Sequence, residues 1–232
     1  MRNSSSRVGL LVPSSNTTME IDLARALTPY ATVHVARMHL ADCDAAAENR
    51  MLDHHVEPAV RDLASARPDV VVFGCTSAGA LRGNDFDAKL CREIGLKTDA
   101  IPVSTLQAAQ IAIAATGGTR VAVVTPYPDE LTNRVAGSLI NAGLSVPSTG
   151  SMGLLDNFAI AAVTTPEIVD FTVRSVGETE IDTVFLSCTN LAASQAASQI
   201  EDALGVPVVT SNRAVVASVL SALEIHPEVR GE

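Results

Sequence analysis

The sequence has no tryptophan, two tyrosines and five phenylalanines in 232 residues, yet 47% of it is hydrophobic, a globular composition. No apolar run approaches the roughly 20 residues of a membrane helix, so no membrane partner is expected. The start, Met1-Arg2-Asn3-Ser4-Ser5-Ser6-Arg7, is short and polar. The strand that follows is too short and badly flanked for a signal peptide, so the expected compartment is the cytoplasm. Basic residues are scarce: 16 Lys and Arg against 26 Asp and Glu give a net charge of −10, with no basic cluster. That excludes nucleic acid as a partner. It leaves an anionic small molecule open, because backbone N–H groups can bind one locally. Also missing are a Cys-x-x-Cys pair, zinc spacing of Cys and His, a His-x-x-x-His, a phosphate loop, a Rossmann fingerprint and a Gly-x-Ser-x-Gly elbow. No metal is implied.

What is present is an alternation. Strands are expected at 8–12, 31–36, 69–73, 101–103, 120–125, 144–147, 182–187 and 206–209. Helical patterns lie at 17–27, 44–66, 85–94, 128–142, 166–178 and 192–204. Continuous apolar runs such as Val70-Val71-Val72-Phe73 suit parallel strands covered on both faces. Their alternation with helices gives βαβ units.

Three segments recur in order. Val70–Ser77 returns in outline as Thr183–Asn190, placing Cys75 and Cys188 113 positions apart (188 − 75). Leu10-Leu11-Val12-Pro13 returns as Val123-Val124-Thr125-Pro126 with the same offset (126 − 13 = 113). Ile101-Pro102-Val103 returns as Val206-Pro207-Val208 with an offset of 105 (207 − 102). The expected fold is therefore α/β, with two pseudo-symmetric lobes, each a short, mainly parallel sheet flanked by helices. With no low-complexity linker the lobes should be tightly apposed, with the site between them.

Of the four cysteines, Cys43 and Cys91 lie in segments without special context and read as structural. Cys75 and Cys188 each end a buried strand, each is followed by Thr, and a helix is expected soon after each. Free N–H groups there can bind an oxyanion and lower a thiol pKa toward the working range. Buried cysteines acting as small hydrophobes are the alternative. The turn Val12-Pro13-Ser14-Ser15-Asn16-Thr17-Thr18 offers more hydroxyl and amide groups than one helix cap requires. It could cap the first helix or hydrogen-bond a ligand carboxylate. Tyr127 could reach a substrate or pack as a loop aromatic. Asn157 could be an N-cap or an amide donor.

Taken together, Val12–Glu20, Cys75-Thr76-Ser77-Ala78, Thr125-Pro126-Tyr127, Asp156-Asn157 and Ser187-Cys188-Thr189-Asn190-Leu191 resemble the maleate cis-trans isomerase family of the aspartate/glutamate racemase superfamily. Its relatives include arylmalonate decarboxylase and the EutA proteins of ectoine utilisation. The resemblance covers nearly the whole chain. It implies that the last helix returns to the first lobe, giving 1–104 plus 211–232 as one lobe and 105–210 as the other. It implies a cofactor-independent site, a homodimer or homotetramer, and a small dicarboxylate or related carboxylate substrate. By resemblance Cys75 attacks the alkene of maleate and Cys188 moves the proton. Asn16, Tyr127 and Asn157 hold the carboxylates. Ser15 belongs to the same polar turn, and N–H donors near Thr76, Ser77, Thr189 and Asn190 would steady the developing charge. Thr76-Ser77 and Thr189-Asn190-Leu191 are closer to the EutA and racemase branches. Three other activities compete: a racemase using the thiols as an acid-base pair, a EutA-like protein, and a dicarboxylate-binding protein without turnover.

Overall fold

The computed structural model describes residues 6–226, so the first five and last six residues, including the outer ends of the expected first lobe, lie outside it. The first half runs β1 (Ser6–Pro13), α1 (Met19–Leu27), β2 (Ala31–Met38), α2 (Ala45–His54), α3 (Val56–Ala64), β3 (Val70–Phe73), α4 (Thr76–Leu81), α5 (Asn84–Thr98), β4 (Ile101–Ser104), α6 (Thr105–Ala115). The second runs β5 (Arg120–Thr125), α7 (Asp129–Asn141), β6 (Ser145–Ser151), α8 (Asn157–Ala162), α9 (Thr165–Val176), β7 (Thr183–Leu186), α10 (Ala193–Leu204), β8 (Val208–Thr210), α11 (Ser211–Ala222).

Two four-stranded sheets result, ordered β2-β1-β3-β4 and β6-β5-β7-β8, with every pairing parallel. The inner strands β3 and β7 are buried at every residue, as strands covered on both faces must be, while edge strand β6 alternates between buried or half-buried and exposed residues. The duplication is borne out strand by strand. Leu11 pairs with Phe73 and, 113 positions on, Val124 pairs with Leu186. Phe73 and Phe185 sit one position apart in the two copies of the central strand and are both fully buried. The third offset needs correcting. Pairing of Val71 with Pro102 and of Val184 with Val208 aligns Pro102 with Val208, an offset of 106. The two prolines thus stand one residue out of structural register. At the true offset Ser104 and Thr210 do the same job. Ser104 accepts from the N–H groups of Leu106 and Gln107 to start α6, and Thr210 accepts from Arg213 to start α11.

Two helical expectations also change. The pattern at 44–66 is broken at His55 into α2 and α3. Pro58 has no N–H to give the carbonyl of His54, and its ring crowds that carbonyl, so it is tolerated only in the first turn of a new helix. Helices α6 and α11 lie in Ala- and Val-rich stretches without a clear amphipathic period; α11 is the last helix that the resemblance implies, and α6 is not among the expected patterns. They pack against each other, and α11 also lies on α1 and β4.

Gly74 ties β3 to β1 by donating to the carbonyl of Leu11 at 2.8 Å. A Cβ there would meet that oxygen and the Met19 sulfur at 2.8 Å and a Leu10 methyl at 2.9 Å. The matched position in the other half is Ser187, whose N–H donates to Val124, so only one of the two copies requires glycine. Copying the second half into the first, Gly74→Ser, should therefore cost about 1–3 kcal/mol by overpacking. Urea unfolding measures this, and an unchanged midpoint would show that the close approach relaxes freely.

Candidate active site

Cys75 leaves β3 in an extended conformation and occupies the N-cap position of α4. Its sulfur lies 3.8 Å from the Ser77 hydroxyl and near the N–H of Ala78. Cys188 follows β7 after one residue. The N–H of Asn190 donates to its sulfur at 3.2 Å, and the N–H of Leu191 and the hydroxyl of Tyr127 also reach it. Both cysteines are about 5% exposed or less. They interact electrostatically with each other and with buried Tyr127. The alternation and duplication therefore bring the two thiols to one buried place.

Burial dominates their acidity. It pushes Cys188 up to about 11, against the lowering effect of Tyr127 and the two backbone N–H groups. Burial, with the nearby Glu48 carboxylate, raises Cys75 further, against the N–H of Ala78 and the hydroxyl of Ser77. The amides act in the expected direction, but the expected net lowering of a thiol pKa is not observed. Desolvation by burial outweighs them at both thiols.

The polar turn after β1 caps the first helix, and its remaining groups bond the Thr189-Asn190 turn of the second half. Asn16 Oδ1 accepts from the N–H groups of Thr18 and Met19, capping α1, while its Nδ2 donates to Thr189 Oγ1 at 2.9 Å. Thr17 donates to Asn190 Oδ1, and Thr18 donates to the Asn190 carbonyl, each at 2.9 Å. Asn190 Nδ2 donates to the Asn157 carbonyl at 2.7 Å. Thr189 Oγ1 donates to the carbonyl of Gly74, beside Cys75. One hydrogen-bonded chain thus joins the two Cys-Thr turns. Ser15 and Thr76 are turned elsewhere: the Ser15 hydroxyl donates to the Leu40 carbonyl, and Thr76 pairs with Ser211. Asn157 is not the cap of α8; Asp156 takes that role by accepting from Phe158. This leaves Asn157 Nδ2 buried with no protein partner, an available donor.

Two residues escaped the sequence reading. Cys43 reads as structural in the sequence, yet its buried thiol interacts electrostatically with Cys75, Cys188 and Tyr127. Its N–H donates to Leu155, next to a bridge between Asp42 and Asp156, so this loop reaches the second half. Glu48 is fully buried on α2, accepts from the Ser77 hydroxyl, and is pushed up to about 8 by burial. Its signal was in the sequence. With Asp44 as cap, the buried stripe of α2 is Ala47, Glu48, Met51 and Leu52, a carboxylate on an apolar face.

Comparison with known proteins fits this geometry. The arylmalonate decarboxylase (Amdase) family model matches residues 8–232. A maleate isomerase of Pseudomonas putida is 29% identical over 238 residues, covering 97% of this chain and 94% of the relative. An arylmalonate decarboxylase of Bordetella bronchiseptica is 30% identical over 209 residues, covering 89% and 86%. The solved structure of a cysteine-to-serine variant of the Nocardia farcinica maleate cis-trans isomerase, carrying a covalently bound succinylcysteine intermediate, superposes with a TM-score of 0.88. It is 23% identical and covers 95% of this chain and 93% of its own. The resemblance read from the paired Cys-Thr turns and the polar turn is borne out.

Proposed function

The chain belongs to the arylmalonate decarboxylase family, and from that premise we propose that it isomerises a small dicarboxylate, maleate to fumarate, through a thioether on Cys75. The observation that carries this reading is the pair of buried thiols at matched strand ends, within electrostatic reach of each other. By resemblance, a decarboxylase of this superfamily keeps only the second of them.

A carbon–carbon double bond does not rotate at a useful rate, whereas a single bond does. Cys75, having given its S–H proton to a base in the site, adds as the thiolate to one alkene carbon and takes that proton back when it is released. The displaced π pair moves to the neighbouring carbon and onto its carboxylate, and the Cys188 thiol supplies a proton there. After rotation the Cys188 thiolate takes a proton back from that carbon, the C–S bond breaks and fumarate leaves. Atoms and electrons balance without a redox partner, so this reading calls for no cofactor. Between the two proton transfers Tyr127 and the N–H groups of Asn190 and Leu191 stabilise the Cys188 thiolate. The free donor on Asn157 and the N–H groups at Thr76 and Ser77 are available to the carboxylates. Asn16, Thr189 and Asn190 hold the two turns together, and Ser15 and Thr76 anchor them from behind. The substrate would lie between a lobe of 1–104 plus 211–232 and a lobe of 105–210.

The test is incubation with maleate alone, followed by proton NMR. Fumarate should appear with no added metal or organic cofactor. A second reading, a racemase, is favoured by the same pseudo-twofold placement of thiols, which would flank one carbon from opposite faces. No fumarate from maleate, with solvent deuterium entering both enantiomers of an amino-acid derivative, would establish that reading instead.

A further inference from the structure

Glu48 is a buried carboxylate that no ion pair explains. It makes no salt bridge among the described residues, and its Oε2 has no hydrogen-bond partner. Arg82, which reaches α2 at the next residue, is spent on Asn49 and Asp53. Leaving a carboxylate in such a place costs stability, and an apolar residue of similar size would fit the stripe of Ala47, Met51 and Leu52 better. A group kept at that cost is a candidate for function. Its one side-chain bond runs to Ser77, and Ser77 is the hydroxyl 3.8 Å from the Cys75 sulfur.

We propose that Glu48, acting through Ser77, receives the proton that Cys75 must lose to become a nucleophile. The Cys75 S–H bond breaks as its proton passes to Ser77 Oγ. The Ser77 proton passes to Glu48 Oε1, and the sulfur keeps the electron pair with which it attacks. Net charge in the site is unchanged, which matters where burial penalises each new charge. Glu48 and Ser77 are positioning residues here, since neither touches the reacting carbons. This assigns the two thiols different activators: Cys75 is served by a carboxylate relay from α2, and Cys188 by donors that stabilise its thiolate. The inference rests on Cys75 being the nucleophile.

The groups that interact electrostatically with this arrangement are Asp44 at the head of α2, Cys43 in the loop before it, Cys75 at the head of α4, and Cys188 and Tyr127 from the second half. All are acids, so none helps Glu48 to ionise. As the base it must be deprotonated to work, so Cys75 reactivity should rise with pH toward about 8, where burial has moved Glu48.

The experiment measures alkylation of Cys75 by iodoacetamide across pH 6–9 in the full chain, resolved by peptide mass spectrometry, with Cys188 alkylation as the internal reference. Glu48→Gln should slow Cys75 by about 10²-fold and erase the rise near pH 8, leave Cys188 within a small factor, and leave the melting temperature equal or higher. Ser77→Ala should reproduce the loss, and the double variant should be no slower than either single one, because the chain acts as one unit. Wild-type rate and pH dependence in Glu48→Gln would overturn the proposal. So would a loss in Glu48→Gln that Ser77→Ala does not share, which would remove Ser77 from the path. Should Glu48→Gln fold poorly, Ser77→Ala reads the same link. No maleate is present, so failure to isomerise maleate would bear on the substrate and leave this result standing.

Discussion

Cys75→Ala is expected to abolish conversion of maleate to fumarate while the protein stays folded. The side chain is small and its sulfur is held by a weak contact with Ser77. Removing it leaves a void of little more than one atom, a cost of about 1 kcal/mol. Catalysis should fall by on the order of 10⁴-fold or more, because without the thioether the double bond never becomes single. Isomer ratios by NMR and thermal melting separate the two effects. Full activity in a folded Cys75→Ala variant would end the covalent reading, whatever became of Cys188. Cys91 serves as the control. It is equally buried but lies on α5 beside Asp87 and Ser104, away from the paired turns, so Cys91→Ala should leave turnover within about twofold.

Much of this was legible in the sequence because duplication is a long-range signal. The repeated offset of 113 located both central strand ends, and with them the thiols, from sequence spacing alone. Strands buried on both faces also announce themselves, as Val70–Phe73 does. The losses have physical reasons. Pro102 and Pro207 match by identity, but hydrogen-bond register pairs backbone positions and is indifferent to which residue stands there. Helices α6 and α11 bury much of their surface between the halves and so lack a polar face to give them a period. At the site, Ser15 and Thr76 looked like ligand donors because they are polar and well placed in sequence. Only the fold reveals that Leu40 and Ser211 already occupy their hydroxyls, which leaves Thr76 its N–H alone. Cys43 and Glu48 went the other way. Cys43 lies in a stretch with nothing unusual around it, Glu48 shows only as a carboxylate on the apolar stripe of α2, and both are carried to the thiols by the turn of α2 and the loop before it.

Cys188→Ser should do something that loss of Cys75 cannot: trap the reaction in the middle. A serine hydroxyl is too weak an acid to supply the first proton quickly and too weak a base, in its neutral form, to remove it again. Addition of Cys75 to maleate would then be completed slowly by a proton from water. The resulting succinyl thioether would have no acceptor poised to start elimination. Turnover should drop by about 10²- to 10⁴-fold, the range typical of losing a positioned acid or base. A Cys75 peptide heavier by one maleic acid should accumulate to near one equivalent. The Nocardia farcinica cysteine-to-serine variant, with its bound succinylcysteine, makes that outcome concrete for a protein of this fold. Tyr127→Phe should be milder, since two backbone N–H groups still reach the Cys188 sulfur when the hydroxyl is gone. The racemase reading forecasts a different result for the same Cys188→Ser variant: no mass gain on Cys75, and solvent deuterium exchanging into one enantiomer only, because the remaining thiol serves a single face. One variant and one mass spectrum therefore decide whether the two thiols act on two carbons of an alkene or on two faces of one carbon.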